Sequence, residues 1–213
     1  MNMLTPIVAR RFRPLNLLIA AAAAGPLSLP AAAIESPVVG FLEKLSISVS
    51  PSPVVTVCHG FGCAYRHQLV LTPAKISYLR GMLASARSAS EERKAIGKAV
   101  AWFDREGGRI AGTIGRIAYA SADTKSGPSQ MDCIDLTANI TAFLIVLDRA
   151  RLLKYHSVGE PVSRGIFIDG KRPHTTPVIA ETANGSQWSV ASWTRAYGQS
   201  PEIMTIEAWQ SKN

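Results

Sequence analysis

The hydrophobic pattern changes period several times along the chain. VVTV (Val54 to Val57) and HQLVLT (His67 to Thr72) are short β-rich runs on either side of CHGFGC, and they predict two strands around a tight reversal. LTPAKISYLRGMLASA (Leu71 to Ala86) then takes a helical period through Ile76, Leu79 and Leu83, with Thr72 as cap and Pro73 at the first helical position. SEERKAIGKAVAWFDR predicts a second helix with Ser90 as its cap, acids at Glu91 and Glu92, and a stripe of Ile96, Ala99, Val100 and Phe103. Gly107 to Ser129 is rich in glycine and serine and reads as a long loop, a length usually functional or mobile. QMDCIDLTANITAFL opens a third helix, capped by Asp132 or Ser129, buried along Leu136, Ile140, Phe143, Leu144 and Leu147, and running to about Leu153.

Beyond that helix the period falls to two. SRGIFIDG, HTTPVIAET and QWSVASW predict strands, and PEIMTIEAW (Pro201 to Trp209) a closing strand or turn. Asn184-Gly185 is a hairpin signal; a two-residue turn there sets His174 opposite Arg195, with Ala191 and Trp193 on the same face as His174, whereas a one-residue bulge brings Ser192 and Thr194 to that face. Helices first, then a central helix, then an antiparallel sheet make an α+β fold. No internal repeat or heptad pattern is visible.

The first residues say where such a fold would work. Arg10, Arg11 and Arg13 precede an apolar run from Leu15 to Gly25, and a small-residue site, Ala31-Ala32-Ala33, follows. This layout predicts a secretory signal peptide over residues 1–33, a periplasmic or secreted location, and a single soluble domain over 34–213. Gly25, Pro26 and Pro30 argue against an uncleaved anchor helix, and no later segment is expected to reach membrane-spanning length. The formal charge is +8, but Lys and Arg are scattered without a dense or aromatic-interleaved stripe, so no nucleic-acid partner is expected.

In an oxidising compartment three cysteines divide into two roles. Cys58 and Cys63 lie at the two ends of a reversal eased by Gly60 and Gly62, and are expected to form a disulfide. Metal binding with His59 and His67 is the rival reading; it lacks a second ligand pair at zinc-site spacing, and no metal or cofactor is expected. Cys133 is left over, either as buried packing or as a reactive thiol. A thiol at a helix N-terminus feels unpaired amides that favour thiolate and can bind an oxyanion, whereas Asp132 and Asp135 work against ionisation. A histidine partner therefore matters, and His174, opening a strand, is better placed than His59, His67 or His156.

CHGFGC, ERKAIGKAVAWF, GPSQMDCIDLTANITAFL, PVSRGIFIDGKRPHTTPVI and SVASW…PEI…W fall in one order over nearly all of residues 34–213. Together they resemble an exported bacterial family of transglutaminase-like cysteine proteins. The resemblance implies a papain-like core in which a central cysteine-bearing helix packs on a small antiparallel sheet, with Cys133 as nucleophile and His174 as general base. It also implies an acidic or amide residue on the next strand to orient the imidazole. The chain departs from that pattern: Val190-Ala191-Ser192-Trp193 sets Ala191 where an aspartate is expected. Ser192, a backbone carbonyl or Asp169 are candidates for the third member, and Gln130 for an oxyanion-hole amide, against the reading of a solvated loop glutamine.

The leading expectation is a periplasmic thiol enzyme that hydrolyses, or transfers the acyl group of, a peptide, protein or cell-envelope amide. The alternative, favoured by Ala191, is a catalytically degenerate relative that keeps the fold and binds an envelope component. A redox role is weaker, since the chain has no C-x-x-C. Trp188, Trp193 and Trp209 are candidates either for a substrate cleft or for the core.

Overall fold

The computed structural model describes residues 36–124, 127–165 and 173–212. The expected leader and Asp169 lie outside them. In chain order the elements are α1 (Ser36–Lys44), β1 (Val54–His59), β2 (Tyr65–Val70), α2 (Pro73–Ala84), α3 (Ala89–Ala111), α4 (Cys133–Arg149), β3 (His156–Arg164), β4 (His174–Glu181), β5 (Gln187–Ala191), β6 (Glu202–Thr205) and α5 (Ile206–Ser211). β1 and β2 form a two-stranded ribbon, and β3-β4-β5-β6 an antiparallel sheet in that order. The architecture is α+β, with helices in the N-terminal half and the cysteine-bearing α4 against the sheet.

α4 packs against β1 and also against β3 and β4. Its side chains from Leu136 to Leu147 are buried, including Phe143, Leu144 and Leu147, and Phe143 stacks on Phe103 of α3 at 4.4 Å between rings. One polar group is built into this core: Asn139 accepts from the Cys58 amide at 2.6 Å and donates to the Cys58 carbonyl at 2.8 Å, satisfying a buried stretch of β1. Residues 127–149 are long and apolar enough to cross a membrane on composition alone, which the sequence reading did not expect. Here 83% of that apolar window is buried inside the fold.

Several boundaries differ from expectation for physical reasons. α3 is capped by Ser88, not Ser90: Ser88 accepts from the Glu91 amide at 3.2 Å while the Glu91 carboxylate takes the Arg87 amide at 2.7 Å. Only Ser88 has a glutamate three residues on, the spacing of a capping box. The same helix continues to Ala111 through Gly107 and Gly108, which the reading assigned to a loop. Both are close-approach positions; a β-carbon at Gly108 would meet Tyr197 at 2.4 Å. α4 stops at Arg149 because Arg151 turns left-handed (φ 53) and the Leu152 amide returns to the Leu147 carbonyl at 2.9 Å.

β3 starts upstream of the expected strand, at His156, and its register shifts between Gly159 and Val162, around Pro161. It is an edge strand, where proline is tolerated. The Asn184-Gly185 turn is not a two-residue one. Only Gly185 has positive φ (74), so type I′ is excluded, and Asn184 instead accepts from the Ser186 amide at 2.9 Å. Ala180 consequently pairs with Gln187 and Val178 with Ser189. β5 ends at Ala191, and beyond it Trp193, not Arg195, comes to His174, ring to ring at 4.7 Å.

Candidate functional site

The N-terminus of α4 is held by the disulfide loop. Cys58 and Cys63 are bonded, and residues 60–63 take four successive left-handed conformations, with φ of 81, 69, 61 and 63. Glycine enters that region freely, whereas Phe61 and Cys63 do so at a cost. All four amides of this turn point to one short segment. Gly60 donates to the Gln130 carbonyl at 2.9 Å, Phe61 and Cys63 to the Asp135 carboxylate at 2.9 and 2.5 Å, and Gly62 to Asp132 at 2.9 Å. These bonds satisfy every amide of the turn, which offsets the strained backbone. The two carboxylates also cap α4 reciprocally: Asp132 accepts the Asp135 amide at 2.8 Å and Asp135 the Asp132 amide at 3.2 Å. The aspartates on either side of Cys133 are therefore anchors.

Cys133 occupies the first position of α4 and is half-buried, with its thiol free. Burial pushes the thiol up from its ordinary pKa and Asp132 and Asp135 push it further, while hydrogen bonds from the backbone of Thr175 and from its own backbone pull the other way. One turn on, the Thr137 hydroxyl donates to the Thr175 carbonyl at 2.9 Å. The backbone of Thr175 thus lies by the first turns of α4, bonded by Thr137 and favouring the Cys133 thiolate. Asp135, behind them, is raised to about 7 by burial and by Asp132, against the three amides it accepts.

His174 immediately precedes Thr175. Its side chain is 3% exposed, and its ring lies 4.7 Å from Trp193 and 5.3 Å from Trp209. Among the described residues neither ring nitrogen has a hydrogen-bond partner. Burial, with a smaller contribution from Arg164, lowers its pKa to about 4, while Glu202 opposes the shift. Arg164 pairs with His174 across β3–β4, stacks on Trp209 at 4.6 Å, and donates to the Trp209 and Lys212 carbonyls. Trp193 in turn donates to the Ala120 carbonyl at 2.7 Å. Two of the three tryptophans thus enclose the imidazole; Trp188 lies instead under the Arg93 guanidinium, 3.6 Å from it.

The remaining sequence candidates separate. Gln130 is buried rather than solvated, accepting the Ile117 amide at 3.0 Å and donating to the Gly115 carbonyl at 3.3 Å, so it clamps the loop between α3 and α4. Ser192 is buried with its hydroxyl unpartnered, beside Met131, Asn139 and Asp104 around a small interior cavity. Ala191 is buried and faces Glu202 across β5–β6. His59 and His67 stack at 5.1 Å instead of converging, and among the described residues no three potential metal ligands come together. His156 is bonded to Glu92 at 2.8 Å, both fully buried, in a network with Arg93 and Glu181.

No protein-family model, curated protein or solved structure matches this chain. The residues themselves carry what can be said of the site. Thr175, Arg164 and Glu202 were missed by sequence reasoning, whereas Trp209 was among its cleft candidates. Pairing across strands, which local pattern does not encode, brings Arg164 and Glu202 to the sheet face of His174.

Proposed function

We propose that the chain is a thiol-dependent amide or acyl hydrolase, or acyl transferase, of the transglutaminase-like type, acting in the periplasm on a peptide, protein or envelope amide. One observation carries the reading: Thr175, whose backbone favours the Cys133 thiolate, directly follows His174, a buried imidazole with both nitrogens unpartnered among the described residues. A buried polar ring without partners is costly unless a ligand or reaction step uses it.

The resting pair is a neutral thiol and a neutral imidazole, given the directions of both shifts. Catalysis then runs by general base rather than through a preformed ion pair. His174 takes the thiol proton as Sγ attacks the carbonyl carbon, and the first-turn amides of α4 receive the developing oxyanion. The tetrahedral adduct expels the amine, which leaves with the proton from the imidazolium, and a thioester remains on Cys133. Water or a second amine resolves it.

The catalytically degenerate reading has its own support in Ala191 and in the missing Cys133–His174 hydrogen bond, although such bonds are often long before substrate binds. Alkylation of Cys133 by iodoacetamide across pH decides between them. In the enzyme, His174→Ala moves the profile to higher pH; superimposable profiles for parent and variant leave a binding protein with a packing cysteine.

A further inference from the structure

The Cys–His reading lacks a carboxylate on the strand after His174. The sheet supplies one from a strand further on. The β5–β6 register pairs Ala191 with Glu202 and Ser189 with Met204. The β4–β5 register pairs Val178 with Ser189, and two residues on it brings Ala191, the last residue of β5, toward Thr176, with His174 two residues further along β4. His174, Ala191 and Glu202 therefore share one face of the sheet, since paired residues point the same way and alternate residues repeat a face. Between the imidazole and Glu202 on that face lies strand β5, and Ala191 contributes only a methyl group there.

We propose that Glu202 is the positioning carboxylate of His174, acting across the space that Ala191 leaves open; this rests on the Cys133–His174 reading above. The charges that act on the ring are Arg164 from β3 and Glu202 from β6; Arg195 and Lys212 lie on Glu202, and Tyr119 acts on Arg164. Glu202 is the carboxylate among them. Its two oxygens are held by Arg195 at 3.1 Å and Lys212 at 2.6 Å, and both of those side chains are 43% exposed. Its carboxylate is thus clamped from the solvent side by cations and only 18% exposed itself. When His174 accepts the thiol proton, Glu202 supplies the compensating negative charge, the role that a buried acid plays toward an imidazolium. The cations on Glu202 attenuate that effect in the resting protein.

The test is the pH–rate profile of Cys133 alkylation by iodoacetamide in the folded full chain, with fold checked by near-UV circular dichroism. Glu202→Gln is expected to slow alkylation at pH 7 by about threefold or more, because the imidazolium formed as the thiol proton leaves loses its counter-charge. In a His174→Ala background the same substitution is expected to bring no slowing. A direct charge effect on the thiol has the opposite sign, since removing a nearby negative charge favours thiolate, so faster alkylation in Glu202→Gln overturns the proposal. If Glu202→Gln matches the parent while His174→Ala does not, Glu202 is dismissed and the Cys–His pair stands. If His174→Ala matches the parent, the pair itself is dismissed and Glu202 with it. Should Glu202→Gln not fold, Lys212→Ala decides: releasing one carboxylate oxygen is expected to speed alkylation, and an unchanged or slower rate overturns the proposal.

Discussion

The buried imidazole of His174 makes a quantitative claim about acid. Its pKa is about 4 in the fold, against an ordinary value of 6.5, because the charged ring is desolvated between Trp193 and Trp209. A histidine with a depressed folded pKa is protonated first in the unfolded chain. Its contribution to stability is therefore complete above pH 6.5 and is lost as the pH falls toward about 4. Integrating the proton difference gives a loss of about 2 kcal/mol between pH 7 and pH 5. Other groups titrate in the same interval, notably Asp135, so the parent curve alone does not isolate the effect. His174→Gln does. The substitution removes the charge, and whatever it costs in packing against the two indoles is independent of pH. Urea denaturation at pH 7, 6 and 5 should show the parent losing about 2 kcal/mol more than His174→Gln over that range. Parallel curves for the two proteins would refute the burial argument and imply that the ring is already hydrogen-bonded or solvated.

Three further outcomes are expected. Intact-mass measurement after alkylation should find one reactive thiol in the native protein and three after reduction, as the Cys58–Cys63 bond requires. Leu147→Ala, at a fully buried position, should cost about 2–5 kcal/mol on a denaturant curve through transfer and cavity terms. Gly60→Ala should destabilise the fold, since its β-carbon would meet the Tyr65 ring at 2.5 Å in a left-handed backbone with φ 81; unchanged thermal stability would mean the loop is loosely held.

The α+β class, the central helix and its buried face were legible because each rests on local periodicity. Leu136, Phe143 and Leu147 recur at helical spacing whatever they pack against. Tertiary contact decided the rest. Gly107 and Gly108 looked like loop because glycine is usually a breaker; they are helical, and the close approach of Val57 and Tyr197 explains why glycine stands there. The hairpin was foreseen, but its four-residue turn moved the pairing by two positions. An even shift preserves faces, so the grouping of His174 with Ala191 and Trp193 survived. Gln130 turned out to be a clamp whose two partners, at 115 and 117, sit in a loop with no periodic signal. Glu202 was invisible for the same reason: nothing near it in the chain points to a histidine.

The aspartates around Cys133 set anchoring against reactivity. Asp135 binds the left-handed turn through the Phe61 and Cys63 amides and caps α4, but its charge also raises the thiol pKa. Asp135→Asn keeps an acceptor oxygen and removes the charge. The midpoint of Cys133 alkylation should then fall to lower pH, because thiolate no longer forms beside a second carboxylate. A loosened loop would also speed alkylation, by exposing the sulfur. The two causes separate on one profile, since the midpoint reports the thiol pKa and the high-pH plateau reports access. Stability provides the second reading. Asp135 is raised to about 7, so its contribution is complete below about 3.8 and is lost as the pH rises through 7. Asp135→Asn has no such proton to lose, and its stability should fall less than the parent's between pH 5 and pH 8. A lower midpoint with an unchanged plateau, together with that flatter stability curve, marks Asp135 as an anchor that restrains the thiol. A raised plateau with an unchanged midpoint would show that its charge does not reach the sulfur, and that the loop alone governs Cys133.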